Sequence, residues 1–219
     1  MANLRTGAFG SFYGSFYNES ESLSQAEMQI NATYIYSYLI NKGWSLNAIA
    51  AILGNMQAES ALNPGRWQGN NIGVGPAYGL VQWDPFSKYT EWCAAQGFSD
   101  PSEMDNNLAR IIYELNNNIQ WYATDTYNLS FKEFTTSNLS VTYLAGAFVL
   151  NYERPADQSE SVQEYRGSLA SNWYSYLTGT DPNPENPETG GAYVKYNKKF
   201  NFLLLNSRKR FNQWTNKRF

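Results

Sequence analysis

The sequence predicts a mainly helical domain that also contains a small β-hairpin. Two pairs of residues, Ser24 with Glu27 and Ser130 with Glu133, have the spacing of N-terminal capping boxes. Apolar residues recur at helical intervals through most of the chain between residues 24 and 177. Residues 69–83 differ, because they are glycine-rich and contain short β-prone pieces, which favours a hairpin there. We therefore expect about six to seven helices, one hairpin and extended segments at both ends.

The helices are predicted from their start and stop signals, taken in chain order. Pro101 stands where a first helical residue would lie, and Pro155 interrupts the chain before the last helix. We expect helices from Ser24 to Gly43, from Ser45 to about residue 60, at about 86–96, from Asp100-Pro101 to about 119, after Ser130, at 140–151 and at about 158–177.

Four regions of the chain are predicted. Residues 1–22 repeat a Ser-Phe-Tyr unit without a periodic apolar face, which is typical of a flexible arm or of an arm that docks on a neighbouring subunit. Residues 23–178 form the helical domain. Residues 179–191 contain three prolines, which indicates a linker. Residues 192–219 hold eight Lys or Arg and no acidic residue, and we expect them to be a basic attachment segment.

Composition excludes several kinds of chemistry. The 219 residues include no histidine and one cysteine, so neither a Ser-His-Asp nor a Cys-His arrangement is possible. A zinc site lacks its usual ligands, and a disulfide within the chain is impossible. We expect no metal and no cofactor. No uninterrupted apolar run of 18 residues is present, so no membrane span is expected.

Glu59 is the candidate proton donor. It follows Met56 by three residues, so it continues the apolar face of the second helix and stands in that helix's last turn. Packed neighbours and the negative end of the helix dipole would both raise the pKa of the carboxyl group. A carboxylic acid that stays protonated near neutral pH can protonate the leaving oxygen of a sugar. The alternative is a helix-end glutamate that turns into solvent.

A second element follows about 20 residues later, in Tyr78-Gly79-Leu80-Val81-Gln82-Trp83. The amide of Gln82 can hydrogen-bond a sugar hydroxyl, and aromatic faces such as those of Tyr78 and Trp83 can stack on a sugar ring. An ordinary hairpin whose aromatic side chains fill the core is the alternative for this element.

Together these elements resemble the lysozyme-like superfamily, and in particular the phage tail lysozyme domain found in tail-knob or tail-tip proteins of small phages, including the phi29-like group. The resemblance covers roughly residues 24–178. The segments that carry it are Asn47 to Ser60, Asn63-Pro64-Gly65 with Trp67-Gln68, Tyr78 to Trp83, and Tyr152-Glu153-Arg154-Pro155.

The resemblance implies a lysozyme-like (α+β) fold that cleaves the linkage between N-acetylmuramic acid and N-acetylglucosamine in peptidoglycan. By position, Glu59 would be the general acid, and Gln82, Tyr78 and Trp83 would line the glycan groove. Tyr152 and Glu153 belong to the last of the segments that carry the resemblance. In an alternative interpretation, Glu153 and Arg154 form an ion pair with only a structural role.

The second carboxylate of a standard glycosidase is not evident. No Asp or Glu lies between Ser60 and Trp83, so Asp84 is the first candidate and Glu153 the next. We therefore predict a site with one acid, which suits either hydrolysis or formation of a 1,6-anhydro product.

The predicted function is that of a peptidoglycan-degrading muramidase at the tail tip or knob of a phage virion, where it would breach the wall during infection. Its partners would be glycan strands and, through residues 192–219, other tail proteins. Nucleic acid is not the expected partner. The alternatives are an endolysin that acts during host lysis, and a structural or wall-binding protein that has the fold without the activity.

Overall fold

The computed structural model describes residues 3–6, 14–19 and 21–180. The part of the expected linker beyond residue 180, the basic tail and residues 7–13 of the arm lie outside the described residues. Two compact units divide the chain, Met1–Tyr174 and Ser175–Phe219. Of the second unit, the structure describes residues 175–180, which hold the end of the last helix.

The described residues form a mainly helical, lysozyme-like arrangement, which confirms the predicted fold class. Two strands precede seven α-helices along this part of the chain. The elements are β1 Asn3–Thr6, β2 Gly14–Tyr17, α1 Gln25–Asn41, α2 Leu46–Ser60, α3 Ser87–Ala95, α4 Met104–Asn117, α5 Phe131–Thr136, α6 Val141–Phe148 and α7 Glu160–Thr178.

Three of the predicted helix starts have the expected N-cap hydrogen bonds in the structure. The Ser24 hydroxyl accepts a hydrogen bond from the Glu27 backbone N–H, and the Glu27 carboxylate accepts one from the Ser24 backbone N–H, which completes the capping box of α1. Ser130 and Glu133 do the same for α5. Ser45 caps α2 through the Ala48 backbone N–H. These local signals were sufficient to place three helix starts correctly.

Helix α2 forms the centre of the core. Every residue from Ala48 to Met56 is buried, so this helix has no solvent face over more than two turns. It packs against α1, α5 and α6. Helix α7 also approaches closely, because a Cβ built on Gly54 would lie 2.5 Å from the backbone nitrogen of Ala170. The absence of a side chain at Gly54 is therefore what allows these two helix backbones to meet.

The hairpin predicted for residues 69–83 is wrong. This region contains a single 3₁₀ turn at Gln68–Asn70 and two isolated bridges, which pair Tyr78 with Trp67 and with Trp83. Five of its residues have positive φ, which breaks the extended backbone that a ladder needs: Gly69, Asn70, Gly73, Gly79 and Gln82. The glycines that suggested a hairpin instead form consecutive turns.

Two helix limits also differ from the expectations. Helix α4 begins at Met104 with Glu103 at its N-cap, and not at Pro101. The turn before it is held by the Asp100 side chain, which accepts from both the backbone and the hydroxyl of Ser102. The helix predicted for 140–151 is α6 followed by a π-helical turn, Val149–Glu153.

The N-terminal arm contains the strand pair, which the sequence did not predict. β1 and β2 are antiparallel, with Asn3 opposite Tyr17 and Thr6 opposite Gly14. The buried amide of Asn31, on α1, accepts from the Phe16 backbone N–H and donates to its carbonyl and to that of Leu62. The segment 14–17 is therefore bonded to the helical domain rather than independent of it.

In the part of the chain that the structure describes, no helix is both long and apolar enough to cross a membrane.

We predict that Gly54→Ala destabilises the domain by about 1–3 kcal/mol, because the new methyl group overlaps the Ala170 backbone, which has no freedom to rotate away. Thermal or urea unfolding measures this difference. The matched control is Gly167→Ala on α7, where the nearest atom is the methyl group of Thr142 at 3.3 Å. At Gly167 the gain of about 1 kcal/mol in helix propensity offsets the cost of the closer contact with Thr142. Equal effects at both positions would contradict this account of the α2–α7 contact.

Candidate active site

Glu59 lies in the last turn of α2, as predicted, but its principal partner comes from α7. One Nη atom of Arg166 lies 2.5 Å from Glu59 Oε1, and the other donates to the backbone carbonyl of Asn55 at 2.8 Å. The Glu59 side chain keeps 20% of its exposure, while that of Arg166 keeps 10%. Glu59 is therefore held by a charged partner and still reaches solvent. The purely apolar surroundings expected from the sequence are not found, because Arg166 occupies that face.

Glu153 is the second carboxyl group at this place. It ends the π-helical turn after α6, where the Arg154 N–H bonds to the Val149 carbonyl five residues back. π-Helical turns are rare and frequently occur at functional sites. The residue is partly exposed as a whole, but its Oε1 is shielded from solvent and has no hydrogen-bond partner. The wider turn thus places one carboxylate oxygen in the interior without a donor.

Four charged residues act electrostatically on Glu153. Burial raises its pKa well above the ordinary value, and the nearby carboxylates of Glu59 and Glu114 raise it further. Arg166 and Arg154 act in the opposite direction but do not cancel these effects. Glu153 therefore holds its proton to a higher pH than an ordinary glutamate does.

Arg154 does not form the ion pair with Glu153 that was one interpretation of the sequence. Its guanidinium donates to the backbone carbonyls of Gln120 and Asn151 and lies over the ring of Tyr122, 4.6 Å from the ring centre. Arg154 also has a left-handed backbone, with φ of 49°. Its role is to close the π-helical turn onto the segment around Gln120.

The loop that carries Gln82 is attached directly to the end of α2. The Ser60 hydroxyl lies within hydrogen-bond distance of the Leu80 carbonyl, at 2.8 Å, and the Leu80 N–H donates to Asn107 Oδ1. Gly79 has φ of 86°, and a Cβ there would lie 2.7 Å from the same Asn107 oxygen. The residue next to Glu59 thus fixes the loop beside the site, and glycine is required for the close approach.

Glu114 organises the packing behind this loop. It is almost completely buried on α4 and accepts from Trp83 Nε1 at 3.1 Å, from Arg110 Nε at 2.8 Å and from the Tyr152 hydroxyl. Burial raises the pKa of Glu114, and these three donors oppose that effect. One carboxyl group thereby connects the loop, α4 and the π-helical turn.

The structure places the predicted glycan-contacting aromatics in the interior. Tyr78 and Trp83 are each 3% exposed, and both rings stack on Tyr89. Tyr152 is also buried and stacks on Phe148. None of these three rings presents a free face to a sugar, so their contribution is the support of the loop and the turn.

Gln82 and Asp84 have a different placement. The Gln82 amide nitrogen donates to the backbone carbonyls of Arg66 and Gly79, so that half of the amide shapes the loop. Gln82 is partly exposed and Asp84 is exposed. These are the two predicted binding residues of the loop that keep surface available to a ligand.

Sequence reasoning missed Arg166 and Glu114. Arg166 shares the buried face of α7 with Gly167, Ala170 and Trp173. Glu114 lies three residues after the buried Ile111, the same spacing that singled out Glu59 after Met56. The sequence therefore contains the same signal for Glu114.

Among the residues that the structure describes, no group of three or more His, Cys, Asp and Glu side chains is placed to hold a metal ion.

Comparison with known proteins defines the class. The chain belongs to the phage tail lysozyme family, whose model matches residues 30–177. It is also similar to Morphogenesis protein 1 of Bacillus phage B103, with 45% identity over 165 residues. That alignment covers 75% of this chain and 44% of the relative, so the chain spans less than half of the relative's length.

We predict that Glu153→Gln stabilises the folded protein increasingly as the pH rises. An unfolded glutamate ionises near pH 4.3, whereas the folded one retains its proton to higher pH, so the parent loses stability above the unfolded value. Between the two pKa values, the parent's free energy of unfolding falls by at most about 1.4 kcal/mol for each pH unit. Thermal unfolding of parent and variant from pH 4 to 8 measures it, with Glu91→Gln on the exposed face of α3 as control. A difference that stays constant with pH would contradict the raised pKa.

Proposed function

We propose that this protein is a muramidase that cleaves the β-1,4 linkage between N-acetylmuramic acid and N-acetylglucosamine in peptidoglycan, with Glu59 as general acid. The observation that carries the proposal is the position of Glu59. Its carboxyl group ends a buried helix, keeps contact with solvent and lies beside a second carboxyl group that favours its protonated form. Membership of the phage tail lysozyme family supports peptidoglycan as the substrate.

The chemistry requires a proton at the glycosidic oxygen as the C–O bond breaks. A carboxyl group that is partly exposed can reach that oxygen, whereas the shielded Oε1 of Glu153 cannot do so directly. Glu59 is therefore the group that would touch the substrate. Gln82 and Asp84, on the loop held by Ser60, are the proposed glycan contacts on the adjacent surface.

Because Glu59 acts electrostatically on Glu153, we propose Glu153 as a second carboxyl group of the site, in place of the one-acid site expected from the sequence. Two carboxyl groups that influence each other's charge are typical of glycosidase sites. Water as the attacking group gives hydrolysis, and the 6-hydroxyl of the muramic acid residue gives an anhydro product. Mass analysis of the released fragments distinguishes a reducing muramic end from an anhydro end.

We place the activity in a phage virion, at the tail tip or knob, with local breach of the wall during infection as its role. The family and the phage relative support this location. The relative's name, Morphogenesis protein 1, also suits a structural or wall-binding protein that has the fold without catalysis. An endolysin with the same chemistry differs only in where it acts.

Glu59→Gln tests the activity. It preserves the size of the side chain and removes the proton donor, so we expect clearing of Gram-positive cell walls to fall by at least about 100-fold. Turbidity loss and release of soluble fragments measure this effect. Glu91→Gln, an exposed glutamate on α3, is the matched control and should clear walls like the parent.

The three function classes give different results in this assay. Clearing by the parent alone supports catalysis by Glu59. Sedimentation of both proteins with walls, without clearing, indicates a binding module. Neither binding nor clearing indicates a structural protein. Clearing by Glu59→Gln at the parental rate would exclude Glu59 as the acid.

We also propose that residues 192–219 attach the protein to other tail proteins. Deletion of residues 181–219 should leave wall clearing intact, because Glu59, Arg166 and Glu153 all lie before the deleted segment. The truncated protein should be absent from purified particles, as measured by gel analysis. Loss of clearing with normal incorporation would contradict this role of the tail.

A further inference from the structure

We infer that Glu59 and Glu153 act as a pair that holds one proton between them, with Glu153 as its carrier before the substrate binds. This inference rests on the proposed function, because it concerns the proton that Glu59 would deliver. It gives Glu153 a role in proton transfer, in addition to its place in a family motif. Glu153 is a positioning residue in this scheme, since it acts through Glu59 and does not touch the glycan.

The first support is the unequal pairing of the two groups. Glu59 has the Arg166 guanidinium 2.5 Å from its Oε1, which is a charge-assisted contact. Glu153 forms no ion pair with Arg166 or with Arg154, whose guanidinium is bound to backbone carbonyls. Among the residues that the structure describes, the cation in contact with either carboxyl group is therefore bound to Glu59.

The second support is the cost of a charge on Glu153. Its Oε1 is shielded from water and accepts no hydrogen bond. An ionised carboxylate without donors is far more costly to bury than a neutral carboxyl group. The charged groups that act on it electrostatically are Glu59 on α2, Glu114 on α4 and Arg166 on α7, together with Arg154 beside it in the chain. Burial and the neighbouring acids Glu59 and Glu114 favour the neutral form and raise the pKa of Glu153.

The proton balance of the step is simple. The O–H bond of Glu153 breaks and an O–H bond forms on Glu59, which then gives that proton to the glycosidic oxygen as the C–O bond breaks. Glu153 is left as a carboxylate close to Arg166. The attacking water or sugar hydroxyl loses a proton to Glu59, from which it returns to Glu153. The two carboxyl groups share no direct hydrogen bond in the structure, so the transfer requires a side-chain rotation or one bridging water.

Carboxyl carbon NMR of the full chain, labelled with ¹³C at the glutamate side chains, tests the pair without any activity. In the parent, the Glu153 signal should remain that of the protonated acid at pH values where ordinary glutamates are ionised. In Glu59→Gln, loss of the neighbouring charge should lower the Glu153 titration midpoint by about one pH unit. The control Glu91→Gln should leave it unchanged. A Glu153 midpoint that is ordinary, or that is the same in Glu59→Gln and in the parent, would overturn the inference.

The pH dependence of wall clearing is the second measurement. Glu153→Gln removes the stored proton, so we expect clearing at neutral pH to fall by about 10- to 100-fold and the alkaline limb of the profile to move to lower pH. A residue with only a structural role would lower the rate equally at all pH values, and that result would overturn the inference. If the parent does not clear walls, the proposed function fails, and the NMR titration still decides whether the two groups share a proton.

Discussion

Arg166 is the side chain on which the arrangement of the candidate site depends. From one buried position on α7 it bonds both the backbone of α2 at Asn55 and the carboxylate of Glu59. A buried ion pair adds little net stability, but removal of one partner is costly because the other charge remains without compensation. The contact of Gly54 with Ala170 brings the two helices close enough for this pair to form. The packing of α2 against α7 and the ion pair of Arg166 with Glu59 therefore depend on each other.

Three acids of this region differ in the hydrogen-bond donors that contact them. Glu114 is satisfied by three donors, and Glu59 by one guanidinium, whereas Glu153 has an oxygen with none. The donors in this part of the fold are thus distributed unequally among three carboxyl groups. Unequal distribution separates the protonation states of neighbouring acids, and such separation is the usual basis of acid and base roles within one site.

Much of the fold could be predicted because its signals are local. The serine caps of α1, α2 and α5 depend on residues within one helical turn, and they were read correctly. The place of Glu59 on the apolar face of α2 followed from its spacing to Met56. Glu114 had the same signal on α4.

The remainder depends on contacts between distant residues, which no local pattern contains. The glycines of 69–83 gave turns and two isolated bridges instead of a continuous hairpin, and the loop is also bonded to the distant residues Ser60 and Asn107. Tyr78 and Trp83 were expected to face glycans, but Tyr89 from α3 covers them. The pairing of Arg166 with Glu59 joins residues 107 positions apart, and the surroundings of Glu153 come from three helices.

The buried amides of Asn31 and Asn63 have a consequence for where the folding unit starts. Asn31 bonds both backbone groups of Phe16, and Asn63 bonds both backbone groups of Asn18. Each asparagine therefore satisfies its amide with a segment that precedes α1. A protein trimmed to its first helix would keep the bonds of Asn31 to Leu62 and of Gly65 to Asn63, but each asparagine would lose two of its hydrogen bonds or more, and an unsatisfied interior amide costs about 1–3 kcal/mol. The practical N-terminal limit for expression of this domain thus lies before residue 14, ahead of the first helix and of the region that the family model matches.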